Sequence, residues 1–304
     1  MSSPLQHVAL VYEGADAAVE HVTELVERDR TGDVAVLVCL PNVIATAVAS
    51  RAGVHDGVTF VPAERRDARP VDAMHLLWRF LQDAFAQGAR RVHTIGAIEL
   101  DGSAADGDWH WYERVVNDVY ADTPLTATCL VDLQRVPPAA IDCLQATHEA
   151  FVGDTGRPFD AVGASSGCDE SSLLPRRIEL PERAADLVLL GVDRPAAARR
   201  ALRDAVGGGH GERLSRAELV VSELVTNSIL HGGGHADVRC WADADGITVE
   251  IADDGPGIAD LMAPLRPPSL PERGAGLWTA NLEATRLHVG HRVPHGTVVT
   301  ARID

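Results

Sequence analysis

Over its first 152 residues the chain alternates five times between short apolar runs and longer segments whose apolar residues recur at helical spacing. His7–Tyr12, Asp33–Leu40, Val58–Val61, Arg91–Ile98 and Thr126–Leu133 read as strands, rich in β-branched residues and too short for helices. Between and after them, Ala15–Arg28, the segment from Pro41 to about Arg51, Val71–Gln87, Trp109–Tyr120 and Pro138–Val152 read as helices. A chain that makes a helix between each pair of strands returns them in parallel. The expected fold is therefore an α/β domain with a mostly parallel sheet and helices on both faces.

This rhythm fails between about Gly153 and Pro181, where GASSGCDESSLLP has the Gly, Ser and Asp content of an exposed connection. The expected division is a first domain over residues 1–165, a linker over 166–182 and a second domain over 183–304. In the second part, Arg194–Val206 reads as a helix opened by Pro195, and Ser215-x-x-Glu218 reads as a capping box. The apolar-periodic run AELVVSELVTNSIL follows, closed by Gly232–Gly234. Ala236–Trp241 and Ile247–Ile251 read as a hairpin across ADADG, Leu277–Arg286 as a helix, and Leu287–Arg292 with Thr297–Ile303 as a final strand pair. Helices on one face of a largely antiparallel sheet describe an α+β two-layer sandwich.

The formal charge of −17 is unevenly spread: 13 Arg stand against 16 acidic residues from position 183 onward, and 14 against 28 before it. An N-terminal part so acidic repels phosphate backbones, so direct nucleic-acid binding is not expected there. The chain contains no lysine, so a cationic phosphate contact must come from Arg, a metal ion or backbone N–H groups. Cys39, Cys129, Cys143, Cys168 and Cys240 form no C-x-x-C pair, so reduced thiols are expected rather than a disulfide framework or a zinc motif. No long apolar run or signal-peptide pattern occurs, which leads to the expectation of a soluble cytoplasmic protein without a membrane partner.

Three features of the second part carry chemistry. Glu223, Asn227 and His231 recur at steps of four and stack on one helix face, although a solvated stripe would look the same. The run IADDGPGI sends Asp253 out of a strand into Gly255 and Gly257, as suits backbone that must approach a ligand closely. Arg273, Gly274 and Gly276 precede Leu277 at a helix start, where N–H groups and the helix dipole attract anions; a tight turn into the helix would read alike.

Taken in order, these motifs resemble the N, G1 and G2 boxes of the GHKL ATPase superfamily, named for gyrase, the heat-shock chaperone, histidine kinases and MutL. The ELVTN…HG helix, the DDGPG turn and the RGxGL segment are most similar to the anti-sigma serine kinase branch, over roughly residues 181–304. The resemblance implies a Bergerat-type sandwich that binds ATP and Mg²⁺. It implies Asn227 as the Mg²⁺ ligand, Asp253 as acceptor of the adenine amino group, and Gly257 and Thr297 beside the base. Gly274, Gly276 and Arg273 would hold the phosphates, Gly255 and Leu277 belong to the same motifs, and Glu223 would be the general base. His231 would cap the polar column near phosphate, or simply pack the helix end.

No H-E-[LI]-x-x-P setting for a phosphoacceptor histidine occurs, and the stretch between Gly257 and Gly274 is short and proline-rich (APLRPPSLPER). Both features fit transfer to a partner's hydroxyl. The implied partners are a sigma factor and a small anti-sigma antagonist phosphorylated on serine or threonine, with homodimer formation left open. Two alternatives stand beside this reading: ATP as a conformational ligand without transfer, and a histidine kinase acting in trans.

The first part has no G-x-x-x-x-G-K-[ST] loop and no G-x-G-x-x-G after a strand. His7-x-x-x-x-Tyr12 followed by the βα pattern resembles the MEDS sensory domain, which implies a small-molecule ligand. His7 and Tyr12 could line its site or pack a strand end. Trp109-His110-Trp111-Tyr112 could bind an apolar ligand or partner, or belong to a core.

Overall fold

The computed structural model describes residues 4–30, 33–53, 56–63, 69–97, 106–153, 177–207, 210–268 and 275–304. The chain forms two compact units, Met1–Leu174 and Pro175–Asp304. Within the sequence-derived linker, residues 166–176 lie outside the described residues.

In the first unit the elements run β1 (Gln6–Tyr12), α1 (Ala15–Asp29), β2 (Val34–Leu40), α2 (Asn42–Ala52), β3 (Val58–Pro62), α3 (Pro70–Ala86) and β4 (Arg91–Ala97). They continue with α4 (Asp106–Tyr120), β5 (Leu125–Asp132), α5 (Pro138–Thr147) and β6 (Ala150–Val152). The sheet order is β3-β2-β4-β5-β1-β6, and every pairing is parallel. One face packs on α1 and α2, with Val19, Val22, Val48, Val38, Leu40 and Ile95 fully or nearly fully buried. Burial of both faces explains why these strands read as continuous apolar runs rather than as alternating ones.

One expected boundary fails. The segment Pro138–Val152 is not one helix: α5 stops at Thr147, and β6 follows as an edge strand parallel to β1. The Glu149 N–H donates to the His7 carbonyl at 2.8 Å, so a strand partner captures backbone that apolar spacing alone assigned to the helix.

The second unit contains β7 (Leu187–Val192), α6 (Pro195–Val206), α7 (Gly211–His231), β8 (Ala236–Ala242), β9 (Ile247–Ala252), a 3₁₀ turn (Ala263–Leu265), α8 (Gly276–Glu283), β10 (Arg286–His291) and β11 (Thr297–Ile303). The strands order β10-β11-β9-β8-β7, all antiparallel, and one apolar core joins them to α6, α7 and α8. This is the expected two-layer α+β sandwich. Cys240 lies in that core, and burial pushes its thiol up to about 12; Cys39 is likewise buried.

Two local readings need correction here. The capping box is not formed, because α7 begins at Gly211 and places Ser215 inside the helix. Glu218 instead pairs with Arg203 of α6 at 2.7 Å, and Leu214 packs against the core, so tertiary contacts extend the helix by a turn. The edge strand β7 has no counterpart in the sequence reading, since its outward residues Val188 and Leu190 are apolar and give no alternation.

Asp29 ends α1 and accepts hydrogen bonds from His93 Nδ1 at 2.5 Å and Arg28 Nε at 2.8 Å. Burial works against its charge, but the hydrogen bonds and charges of Arg28 and His93 outweigh that and hold its carboxyl well below the usual range. Such a group stabilises the fold above its unfolded pKa of about 4, and that contribution is lost as pH falls through the lower folded value. Near neutral pH, Asp29→Asn should therefore cost about 1.5–3 kcal/mol in urea denaturation of the full chain. The difference should shrink as the pH is lowered below about 4; a gap independent of pH would contradict this assignment.

Candidate functional site

The periodicity of α7 places Glu223, Asn227 and His231 along one face, the first two half-buried and the third exposed. The opposite face buries Val220, Val221, Leu224 and Val225 in the core, which fixes the helix rotation and aims the polar column away from it. Asn227 lies directly against Gly276, the first residue of α8: a Cβ there would stand 2.8 Å from both its Oδ1 and its Nδ2. The first-turn N–H groups of a helix have no intrahelical acceptor, so a neutral amide oxygen and an anion-attracting helix start lie side by side. No group among the described residues hydrogen-bonds the Glu223 carboxylate, one turn before Asn227.

Asp253 follows β9 and is buried at 6 % exposure, which makes its partners decisive. Its Oδ1 accepts the N–H groups of Gly255 at 3.0 Å and Thr297 at 3.1 Å, and its Oδ2 accepts the Ser228 hydroxyl at 3.3 Å. These bonds satisfy and orient a buried carboxylate while leaving lone-pair capacity on Oδ2 for a ligand donor. The end of α7 closes onto the same turn. A Cβ at Gly232 would meet Asp253 Oδ2 at 2.4 Å, and one at Gly255 would meet the Gly232 Cα at 2.5 Å. Gly296 has φ +113°, and a Cβ there would lie 1.9 Å from the Asp253 carbonyl oxygen.

Most of the site residues expected from sequence come together here: Asn227 with Gly276, and Asp253 with Gly255 and Thr297. Gly257 faces the Gly296 carbonyl, 3.5 Å from where its Cβ would be. The His231 side chain is exposed and its carbonyl lies beside Gly255, which is the helix-end packing alternative. Leu277 packs against the apolar core. Arg273 and Gly274 lie outside the described residues. Downstream of Gly257, Asp260 accepts the Met262 N–H at 2.9 Å, and Asn281 of α8 donates to the Pro264 carbonyl at 3.0 Å, pinning that stretch to the helix. The sequence reading missed Ser228 and took Gly232 only as a helix stop, because a small residue carries no signal until its neighbour across the fold is known.

In the first unit, His7 and Tyr12 do not share a site, since an odd separation along a strand sends them to opposite faces. Tyr12 lines a groove of about 440 Å³ with Pro41, Ile44, Ala97, Asp132 and Arg135. That groove lies at the C-terminal ends of β1, β2, β4 and β5, where open parallel sheets take ligands. Trp109 and Tyr112 are buried and pack edge to face at 5.4 Å. Among the described residues no helix is long and apolar enough to cross a membrane.

Comparison with known families agrees with this geometry. The histidine kinase-like ATPase domain matches residues 191–303, and the MEDS domain (methanogen/methylotroph, DcmR sensory domain) matches residues 6–149. Anti-sigma F factors of a Thermoanaerobacter species and of Thermoanaerobacter pseudethanolicus are each 31 % identical over 86 residues, covering 27 % of this chain and 54 % of the relative. The anti-sigma F factor of Clostridium novyi is 31 % identical over 96 residues, covering 28 % of this chain and 67 % of the relative. The chain thus spans only about half the length of the first two.

Gly276→Ala should leave the fold intact, because only the Asn227 amide has to move, yet weaken Mg²⁺-ATP binding by about tenfold in calorimetric titration. Gly296→Ala should instead destabilise the second unit by at least about 1–3 kcal/mol from its left-handed backbone alone. Equal effects of the two substitutions on stability would refute this distinction.

Proposed function

The chain belongs to the histidine kinase-like ATPases of the anti-sigma factor type, with a MEDS domain ahead of the ATPase domain, and from this we propose that it is a ligand-controlled protein serine/threonine kinase. The observation that carries the nucleotide half of this reading is the buried, triply bonded Asp253 carboxylate beside the Asn227–Gly276 contact. Asp253 would accept the adenine amino group, with Thr297 holding the carboxylate from its backbone. The oxygen of Asn227 and the start of α8 would hold Mg²⁺ and phosphate together. When bound, Mg²⁺ supplies charge neutralisation on the phosphate oxygens. Glu223, half-buried one turn away, would take the proton from the attacking hydroxyl.

The partner proposed from the relatives' names is a sigma factor, and the motif resemblance adds a hydroxyl-bearing antagonist protein. The groove at the C-terminal strand ends of the first unit is the proposed seat of the controlling small molecule, with Asp132 and Arg135 as its polar contacts. Phosphotransfer to a histidine is not favoured, because the chain offers no phosphoacceptor motif of its own.

With labelled ATP and candidate antagonist proteins, Glu223→Gln should keep nucleotide affinity but lower phosphotransfer by about 10²–10⁴-fold. Asp253→Asn should weaken ATP binding by about ten- to a hundredfold, the value of one charge-assisted hydrogen bond. If the wild-type chain binds ATP and transfers nothing to any hydroxyl-bearing partner, ATP acts only as a conformational ligand and the kinase reading fails.

A further inference from the structure

Four metal-ligating side chains from four separate elements meet inside the first unit, on the sheet face opposite α1 and α2. His7 lies on β1, Cys129 on β5, Glu113 on α4, and His148 directly after α5. One donor atom from each lies within 4.8 Å of all the others. His7 Nε2 is 2.8 Å from Glu113 Oε2 and 3.4 Å from Cys129 Sγ, while Sγ is 3.8 Å from Glu113 Oε1. Around a tetrahedral ion with bonds of about 2.0–2.3 Å, donor atoms lie roughly 3.3–3.8 Å apart, so small movements would complete the cage. His7, His148 and Glu113 are each more than nine-tenths buried.

The hydrogen bonds around the cluster set both imidazole tautomers. Asn117 Nδ2 donates to the Thr147 carbonyl at 2.7 Å, which turns its Oδ1 toward His7 Nδ1, also at 2.7 Å. An amide oxygen only accepts, so His7 Nδ1 carries a hydrogen and Nε2 is the atom left for the cluster. His148 Nδ1 faces the Leu144 carbonyl at 2.9 Å, and by the same reasoning it is the protonated nitrogen. Its Nε2 is buried with no hydrogen-bond partner among the described residues. A buried lone pair without a donor is costly, and here it stands on a ring 4.1 Å from that of His7, in the same residue cluster as a carboxylate and a thiol. Ligating histidines characteristically donate their second nitrogen to a carbonyl in this way. A cavity of about 40 Å³ lined by His7, Glu113 and Cys129 adds room at the cluster, more than the roughly 10–15 Å³ that one water requires.

We propose that His7, Glu113, Cys129 and His148 form a binding site for a divalent transition-metal ion, with Zn²⁺ the best match to this nitrogen, sulfur and oxygen donor set. Without metal, a proton between His7 and Glu113 takes its place. Binding displaces that proton and the thiol proton, so affinity rises with pH. The ion would tie β1, β5, α4 and the end of α5 together. His148 stands two residues before β6, so occupancy would also hold that edge strand in register. Asn117 would act as a positioning residue, through His7 rather than on the metal.

The test uses the full chain, freed of metal by chelation and titrated with Co²⁺ as a spectroscopic stand-in for Zn²⁺. One equivalent should produce visible ligand-field bands of tetrahedral intensity with a thiolate-to-cobalt charge-transfer band in the near ultraviolet, and Zn²⁺ should bleach both. Cys129→Ser should remove the charge-transfer band, which separates this thiol from the other four. His148→Ala should abolish stoichiometric binding, and Asn117→Ala should weaken it by about 10–100-fold. A wild-type chain that shows no thiolate-to-cobalt band would overturn the proposal, whether or not the variants fold. So would a folded Cys129→Ser chain that retains the band.

Discussion

The second unit depends on a carboxylate placed where a carboxylate is expensive. Asp253 is buried between β9, β11 and the end of α7, and its charge is acceptable only because two backbone N–H groups and the Ser228 hydroxyl point at it. Those donors come from three elements, so the bonds that satisfy the acid also fix the helix against the sheet. The glycines follow from the same constraint. Gly232 and Gly296 lie so near the Asp253 side chain and carbonyl that any side chain would displace the acid. Stability and the proposed nucleotide recognition therefore share one set of atoms.

The first unit solves a different problem with a parallel sheet. Its strands are covered on both faces, so polar side chains on them are paired inside the fold rather than solvated. His93 is bonded to Asp29 and Thr128 on one side of the sheet, and His7 to Asn117 and Glu113 on the other. Burial works against a charged His7, but Glu113 and Cys129 hold its pKa well above the ordinary imidazole value. Burial pushes His148 down to about 4, with the charge of His7 acting in the same direction. The two rings, 4.1 Å between centroids and tilted by 39°, are thus shifted in opposite directions. At the C-terminal strand ends of this unit, the groove lined by Tyr12, Asp132 and Arg135 is the proposed ligand seat.

Much of this architecture was legible in local pattern. The alternation of β-branched runs with helical spacing gave the parallel sheet, because each element buries its own apolar face and so writes its period into the chain. It failed at β6 and β7, edge strands of three and six residues, one mistaken for the end of a helix and one overlooked. Edge strands owe their existence to hydrogen bonds with a neighbour far along the chain, and local periodicity does not record the neighbour. The apparent capping box at Ser215 misled for a related reason: Glu218 fits that motif but is bound to Arg203 on another helix.

What the sequence determined by itself was the set of residues with close sequence neighbours in the same motif: the Glu223–Asn227–His231 column, the turn from Asp253 to Gly257, and the helix start at Gly276. Each is a local device, since helix pitch or a glycine turn places its groups without help from the rest of the fold. The tertiary structure alone decided that the Ser228 hydroxyl and the Thr297 backbone N–H bond the Asp253 carboxylate, and that Asn227 rests on Gly276. It alone brought His7, Glu113, Cys129 and His148, spread over more than 140 residues, into one buried cluster. Strand order and helix packing set those distances, and no spacing along the chain encodes them.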